Sequence, residues 1–304
     1  MFINKIDKKD NPYILMGILI ILWGSFSAVS KLVLGHLDSF QIQFYMFGLA
    51  AIIMTVSMYS RDGMKKLRRL KRKELIKLML FALPSFLYYF LYTAALRMIP
   101  AIEASMLNYL FPIMIVIFAI PINGERINAS KLISVFIGFS GMLIIITNGD
   151  FNNLKLSNIP GDILAIAAAV CWGIFSNLGK KNNIDQALSN YVYVLVAFIL
   201  SFINLLLFSE FIIPDTSAFL GVLWISLSNI VLSYHLWFKV LKVTSSALAA
   251  SLSFITPFVT LAFIMLLLGE KISVIQIIGF LLILVGITAQ NLKYGMKSVK
   301  LPGD

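Results

Sequence analysis

The chain has 304 residues, of which 60% are hydrophobic and only 13% charged, with a formal net charge of +11. Soluble domains carry roughly a quarter charged residues and under half apolar ones, so this composition leaves too little polar sequence to cover a water-facing surface. The one cysteine, Cys171, excludes an intramolecular disulfide framework and a Cys-cluster metal site, and two histidines exclude most His-based metal centres, so no cofactor is expected.

A helix crossing about 30 Å of hydrocarbon needs roughly 20 mostly apolar residues. Ten such stretches follow one another: Tyr13–Leu34, Phe40–Tyr59, Ile76–Leu96, Ala101–Ile122, Ala129–Thr147, Gly161–Leu178, Leu188–Ser209, Ser217–Leu241, Ser246–Leu268 and Ser273–Leu292. A β-barrel is excluded because barrel strands alternate over about ten residues instead of running continuously apolar. The basic start Lys5, Lys8, Lys9 resembles the front of a signal peptide. The apolar run behind it is too long for one and has no small-residue cleavage site, so it is expected to stay as the first span.

Lysine and arginine set the orientation. With the N-terminus in the cytoplasm, 21 of the 25 basic residues fall inside and only Lys31, Arg97, Lys155 and Lys271 fall outside. An odd number of spans would spoil this partition, so ten helices with both termini cytoplasmic are expected in the plasma membrane. The same rule explains the net charge without a nucleic-acid partner. The stretch 61–73 becomes a basic cytoplasmic loop, either an orientation signal alone or a contact for anionic lipid.

The two halves repeat. Trp23-Gly24, Phe26, Ser27 and Lys31 match Trp172-Gly173, Phe175, Ser176 and Lys180 at an offset of 149. Pro112, Gly124-Glu125-Arg126 and Gly141 match Pro257, Gly269-Glu270-Lys271 and Gly286 at an offset of 145. Residues 13–147 form the first five-helix repeat, 161–292 the second, and 148–160 an external linker. Five helices per repeat is odd, so the halves enter the membrane in opposite senses. Inverted repeats make the inward-open and outward-open states near mirror images, with the substrate site at their interface near the midplane.

Ten spans in two repeats, Trp-Gly in helices 1 and 6, and a mid-helix proline followed by Gly-Glu-Arg/Lys in helices 4 and 9 resemble the EamA-type members of the drug/metabolite transporter (DMT) superfamily. The resemblance covers residues 13 to 292. It implies an all-α membrane protein with ten transmembrane helices in two inverted five-helix repeats. It also implies a secondary carrier, often an exporter of amino acids, metabolites or drugs, with a central cavity between the halves. The substrate is left open, since the family spans aromatic amino acids, sugars, choline-like cations and nucleoside derivatives.

Candidate residues follow from position and chemistry. Trp23 and Trp172 occupy equivalent places too deep for an interfacial belt. Tyr88 and Tyr92 share a helix face four residues apart, and Asn108 and Tyr109 precede the Pro112 kink. Together these residues would make an aromatic cage with hydroxyl and amide handles, suited to rings or, through cation–π attraction, to amines. Ser251 and Ser253 in helix 9 either hydrogen-bond the substrate or serve close packing with Ala249 and Ala250.

Pro112 and Pro257 are read as hinges over a packing bend, because each frees backbone groups at mid-span. Glu103 is either a proton-coupling acid or a helix-start carboxylate beside Lys31 and Arg97. His235 is the other coupling candidate, against a merely hydrogen-bonded packing role. The Gly-Glu pairs are read first as helix-end devices and second as gate-side ion pairs.

The function expected is a secondary active transporter, an exporter, of a small organic solute such as an amino acid or related metabolite. A carrier of cationic drugs or amines is the alternative. A channel or an intramembrane enzyme is the different-class alternative, poorly supplied here with charged rings, catalytic motifs or paired acids. The partners expected are a small-molecule substrate and the lipid bilayer; a monomer suffices, with a dimer left open.

Overall fold

The structure, a computed structural model, describes residues 11–60, 62–99, 104, 107–126, 129–153, 158–268 and 273–295. Glu103 and Glu270 therefore lie outside the described residues. The chain folds into helices α1 (Pro12–Val33), α2 (Ser39–Ser60), α3 (Gly63–Arg68), α4 (Arg72–Met98), α5 (Phe111–Asn123), α6 (Ala129–Thr147), α7 (Ile159–Lys181) and α8 (Gln186–Phe208). It continues through α9 (Thr216–Ile225), a π-helical segment Ser226–Leu232, α10 (Ser233–Val243), α11 (Ser246–Ser253), α12 (Thr256–Leu268) and α13 (Val274–Gly295). Among the described residues, five helices are long and apolar enough to cross a membrane. Five shorter apolar ones complete the ten spans.

Local chemistry sets the helix ends. Asp38 accepts from the amides of Phe40 and Gln41 while Gln41 accepts from Asp38 N, a reciprocal cap that starts α2. Asp185 caps α8 through Ala187 and Leu188, and Asp215 caps α9 through Ala218. Gly124 ends α5 with φ of 66°, the left-handed conformation that only glycine adopts without penalty.

The packing is inside-out relative to a soluble protein. Ile199, Phe202, Ile203, Leu206 and Leu207 of α8 are exposed, while Ser176, Asn177, Ser201, Ser228 and Ser233 are buried. Hydrocarbon can surround the first set at no loss. The second set must find partners within the bundle. Ser233 Oγ donates to Ser228 O at 2.5 Å, and Asn177 Nδ2 donates to the carbonyls of Ile115 and Gly173, both at 2.9 Å.

Exchanging the halves leaves the packing pattern unchanged. Span 1 (α1) lies against spans 8 and 9, and span 6 (α7) lies against spans 3 and 4. Span 2 faces its own repeat mate, span 7, and span 5 faces span 10. The last contact is a glycine seam: a Cβ on Gly141 would sit 2.5 Å from Gly279 O, and one on Gly279 would sit 2.7 Å from Gly141 O. Such backbone-to-backbone approach is how apolar helices gain contact when burial from water contributes nothing.

The mid-span prolines sit otherwise than the kink expected from sequence. Span 4 is interrupted at Tyr109-Leu110 and span 9 at Phe254-Ile255, pairs related by the offset of 145. Pro112 is the second residue of α5 and Pro257 the second of α12. There the missing N–H is one the helix would leave unpaired anyway. Each proline begins a new half-helix instead of bending a continuous one.

Two glycines hold the new half-helices in place. A Cβ on Gly173 would meet Met114 Cβ at 2.7 Å and its carbonyl carbon at 2.9 Å, and one on Gly24 would meet Val259 Cγ1 at 2.7 Å and Thr260 N at 3.3 Å. Met114 and Val259 are themselves repeat mates. Gly173→Ala is therefore expected to destabilise the detergent-solubilised protein by about 1–3 kcal/mol. Gly17→Ala, where nothing lies within 4 Å of the new methyl, should be neutral or slightly stabilising. Thermal melts of the two variants check this, and equal loss in both would refute it.

Candidate substrate cavity

The interruptions in spans 4 and 9 surround a cavity lined by Trp23, Phe26, Tyr88, Tyr89, Tyr92, Asn108, Tyr109, Phe111, Trp172, Asn229, Thr256 and Thr260. The space open to water is about 100 Å³, below the roughly 300 Å³ at the lower end of small-molecule pockets. The aromatic walls must part before a drug-sized solute could fit.

Repeat mates meet each other here. Trp23 and Trp172 stand edge to face with centroids 6.3 Å apart. A residue can touch its own symmetry mate only beside the axis that relates the halves, so the cavity sits on that axis. Tyr88 leans on Trp172 at 4.8 Å and stacks on Tyr92 at 6.1 Å, and Trp23 adjoins Trp237 at 5.3 Å. Trp237 is fully buried behind Trp23 and satisfies its N–H on Ser176 Oγ at 3.0 Å.

The helix ladders are also opened on spans 3 and 8. Span 8 passes through the π segment, which turns Asn229 toward the cavity, and π turns of this kind recur at functional sites. The register mate of Asn229 is Pro84, the proline inside α4. The two halves loosen the same level of the bundle by different means.

Of the residues named from sequence, Trp23, Tyr88, Tyr92, Asn108, Tyr109 and Trp172 line this one cavity. Ser251 and Ser253 are buried in α11 and are not among its lining; Ser253 Oγ donates to Ala249 O at 2.9 Å. Pro112 and Pro257 flank the cavity one residue beyond Phe111 and Thr256. His235 is exposed on α10 and is not brought to the cavity. Phe26, Tyr89, Phe111, Asn229, Thr256 and Thr260 were not singled out from sequence. Phe26 carried a signal as the mate of Phe175, and Thr256 by preceding Pro257. Asn229 carried none, because a π segment changes which face a residue presents.

A second polar cluster closes one end of the interface between the halves. Lys180 Nζ lies 2.6 Å from Glu125 Oε1 and donates to Thr244 O at 2.9 Å. Ser246 Oγ donates to Glu125 at 2.6 Å and Ser246 N does so at 3.2 Å. Glu125 thus caps α11 in the opposite half, besides following the glycine that ends its own helix. Both charged side chains are only 17% exposed.

Burial pushes the Glu125 carboxyl up, but the Lys180 and Ser246 hydrogen bonds and the lysine charge outweigh it and hold it below the ordinary carboxylate range. A carboxyl lowered on folding stabilises above its unfolded pKa of about 4.3, and that contribution disappears as pH falls through the lower folded value. Lys180→Met, which strands the carboxylate, should cost about 1–3 kcal/mol in a melt at pH 7, and Glu125→Gln in the same chain should recover part of it. A double variant less stable than the single one would overturn this account.

Comparison with known proteins follows the same division of the chain. The profile of the EamA-like transporter family matches residues 11–147 and again 159–291. An uncharacterized transporter, YyaM of Bacillus subtilis (strain 168), is 25% identical over 92% of this chain and 93% of its own length. The aromatic amino acid exporter YddG of Ancylobacter novellus is 26% identical over 56% of this chain and 60% of its own. A probable amino-acid metabolite efflux pump of Escherichia coli (strain K12) is 24% identical over 54% of this chain and 58% of its own. A crystal structure at 20% identity superposes with a TM-score of 0.81 over 93% of this chain and 97% of the other, which shows the fold.

Proposed function

The chain belongs to the EamA-like transporter family, a multi-pass membrane transporter of small solutes and not an enzyme, and from that premise we propose that it is a secondary carrier exporting a neutral aromatic amino acid or a closely related metabolite. The observation that carries the reading is the cavity on the axis between the inverted halves, walled by Trp23, Trp172, Tyr88, Tyr92 and Tyr109. Aromatic walls favour a ring through offset and edge-to-face contacts, each about 0.5–1.5 kcal/mol beyond simple burial. The name of the partial relative YddG, an aromatic amino acid exporter, points the same way.

Transport proceeds by rocking of one half against the other about the bound solute. The half-helices beginning at Pro112 and Pro257 act as hinges, because the interruption before each absorbs a change of direction without breaking a continuous ladder. The Lys180–Glu125–Ser246 cluster bridges the halves at the end that the basic-residue partition assigns to the cytoplasm. In this conformation it shuts that side. Both termini then lie in the cytoplasm, and the plasma membrane is the site of action. The basic surface of α3 meets anionic lipid there, its apolar side tucked through Met64 and Leu67 against Met58, Leu188 and Tyr191.

Counterflow in proteoliposomes tests the reading. Vesicles preloaded with unlabelled tryptophan should transiently accumulate labelled tryptophan or tyrosine. Trp172→Ala should lower the rate about tenfold, the equivalent of about 1.4 kcal/mol. Accumulation of quaternary amines but not amino acids would replace the substrate class with cationic drugs.

Coupling to protons runs through Glu103 in this reading. Its substitution Glu103→Gln should flatten the pH dependence of counterflow, while His235→Gln, on the exposed face of α10, should leave it unchanged. A pH-independent wild type would remove proton coupling altogether.

A further inference from the structure

The cavity's polar groups are mostly spoken for. The Tyr88 hydroxyl accepts from Asn108 Nδ2 at 3.3 Å, and Asn229 Nδ2 donates to Ser228 Oγ at 2.9 Å. Two atoms are not. Asn108 Oδ1 and Thr256 Oγ1 have no hydrogen-bond partner, although their residues are only 6% and 5% exposed and both line the cavity. Leaving a buried polar atom unpaired forfeits its hydration with no return, so two such atoms on residues lining the same cavity mark where a ligand's polar group belongs.

Each residue has a structural reason to be there. Asn108 ends the first part of span 4, immediately before its interruption, and Thr256 opens α12 immediately after the interruption in span 9. The two halves therefore contribute one group each. The other end of the Asn108 amide is occupied, with Nδ2 donating to the Tyr88 hydroxyl at 3.3 Å, so it is the oxygen that remains for the ligand.

We propose that Asn108 and Thr256 form the head-group subsite of the cavity and take the ammonium of the substrate, with its ring held among Trp23, Trp172, Tyr88 and Tyr92. This rests on the reading above that the cavity accepts an aromatic amino acid. An ammonium has three N–H groups to offer and no acceptor. It meets the amide oxygen and the hydroxyl lone pair directly, and the neighbouring aromatic faces add cation–π attraction. A carboxylate at the same place would face Asn108 Oδ1 lone pair to lone pair. None of the lining residues is charged, so a solute whose own charges cancel loses least on entering. The subsite thereby orders three ring compounds: amino acid and bare amine bind, and the bare acid is rejected.

Phenylalanine, phenethylamine and 3-phenylpropionate are the probes, titrated onto the full chain in detergent and read by quenching of tryptophan emission. Wild type should bind the first two at least about tenfold more tightly than the third, as expected for a hydrogen bond to a charged group. Asn108→Leu and Thr256→Val should each weaken phenylalanine and phenethylamine by about tenfold or more while leaving 3-phenylpropionate unchanged. Asn108→Asp, which keeps an acceptor, should preserve the preference for the amine. Wild type binding 3-phenylpropionate as well as phenethylamine would overturn the subsite, as would both variants weakening all three probes equally. Failure of folded wild type to bind any of the three would instead overturn the aromatic amino acid reading beneath it, and the subsite with it.

Discussion

The arrangement depends on two places where a helix comes so close to its neighbour that a side chain cannot stand between them. Gly24 and Gly173 let spans 1 and 6 press onto the first turns of the half-helices α12 and α5. In lipid, association gains nothing from expelling water, so close van der Waals approach and internal hydrogen bonds must supply the cohesion. The same approach sets the position of the preceding residue in each helix. Trp23 and Trp172 are carried onto the axis between the halves, where their rings meet. The Trp-Gly pair is one device: the glycine fixes the distance and the tryptophan uses it.

Around this contact the chain interrupts its own helices at matched levels. Spans 4 and 9 stop and restart, and spans 3 and 8 loosen through Pro84 and a π segment. Regular helix would hide every backbone group and present a purely apolar surface to a solute. Interruption lets polar residues such as Asn108, Asn229 and Thr256 line a cavity within the bundle. Polar groups are thereby gathered inside the bundle, while the outer faces remain compatible with acyl chains.

Much of this was legible in the sequence, because the signals involved are local or repeated. Twenty-residue apolar runs gave the spans, and fixed offsets of 149 and 145 residues paired Trp23 with Trp172 and Pro112 with Pro257. Pairing brought Trp23 and Trp172 into view, helical spacing Tyr88 and Tyr92, and the place before Pro112 Asn108 and Tyr109. What the sequence could not disclose were features that need three dimensions. A proline inside an apolar run reads equally as a kink or a restart. The partner of Glu125 is Lys180, 55 positions away, and nothing in either neighbourhood announces the other. Asn229 reaches the cavity only because the π segment changes its face. Ser251 and Ser253 looked like handles because a hydroxyl on an apolar helix suggests a ligand, yet an i−4 carbonyl is nearer for Ser253.

The two means of loosening spans 3 and 8 differ in permanence. Pro84 lacks its N–H by covalent structure, so the gap in that ladder persists whatever the neighbours do. The π segment at Ser226–Leu232 lacks nothing; it is a register choice, with Ser233 Oγ bonded five residues back, and one residue's shift would restore α-helical pairing. The halves are thus alike in shape but unequal in freedom. One carries a joint fixed by covalent structure and the other a joint set by register, so halves that match in packing need not yield equally to the same load.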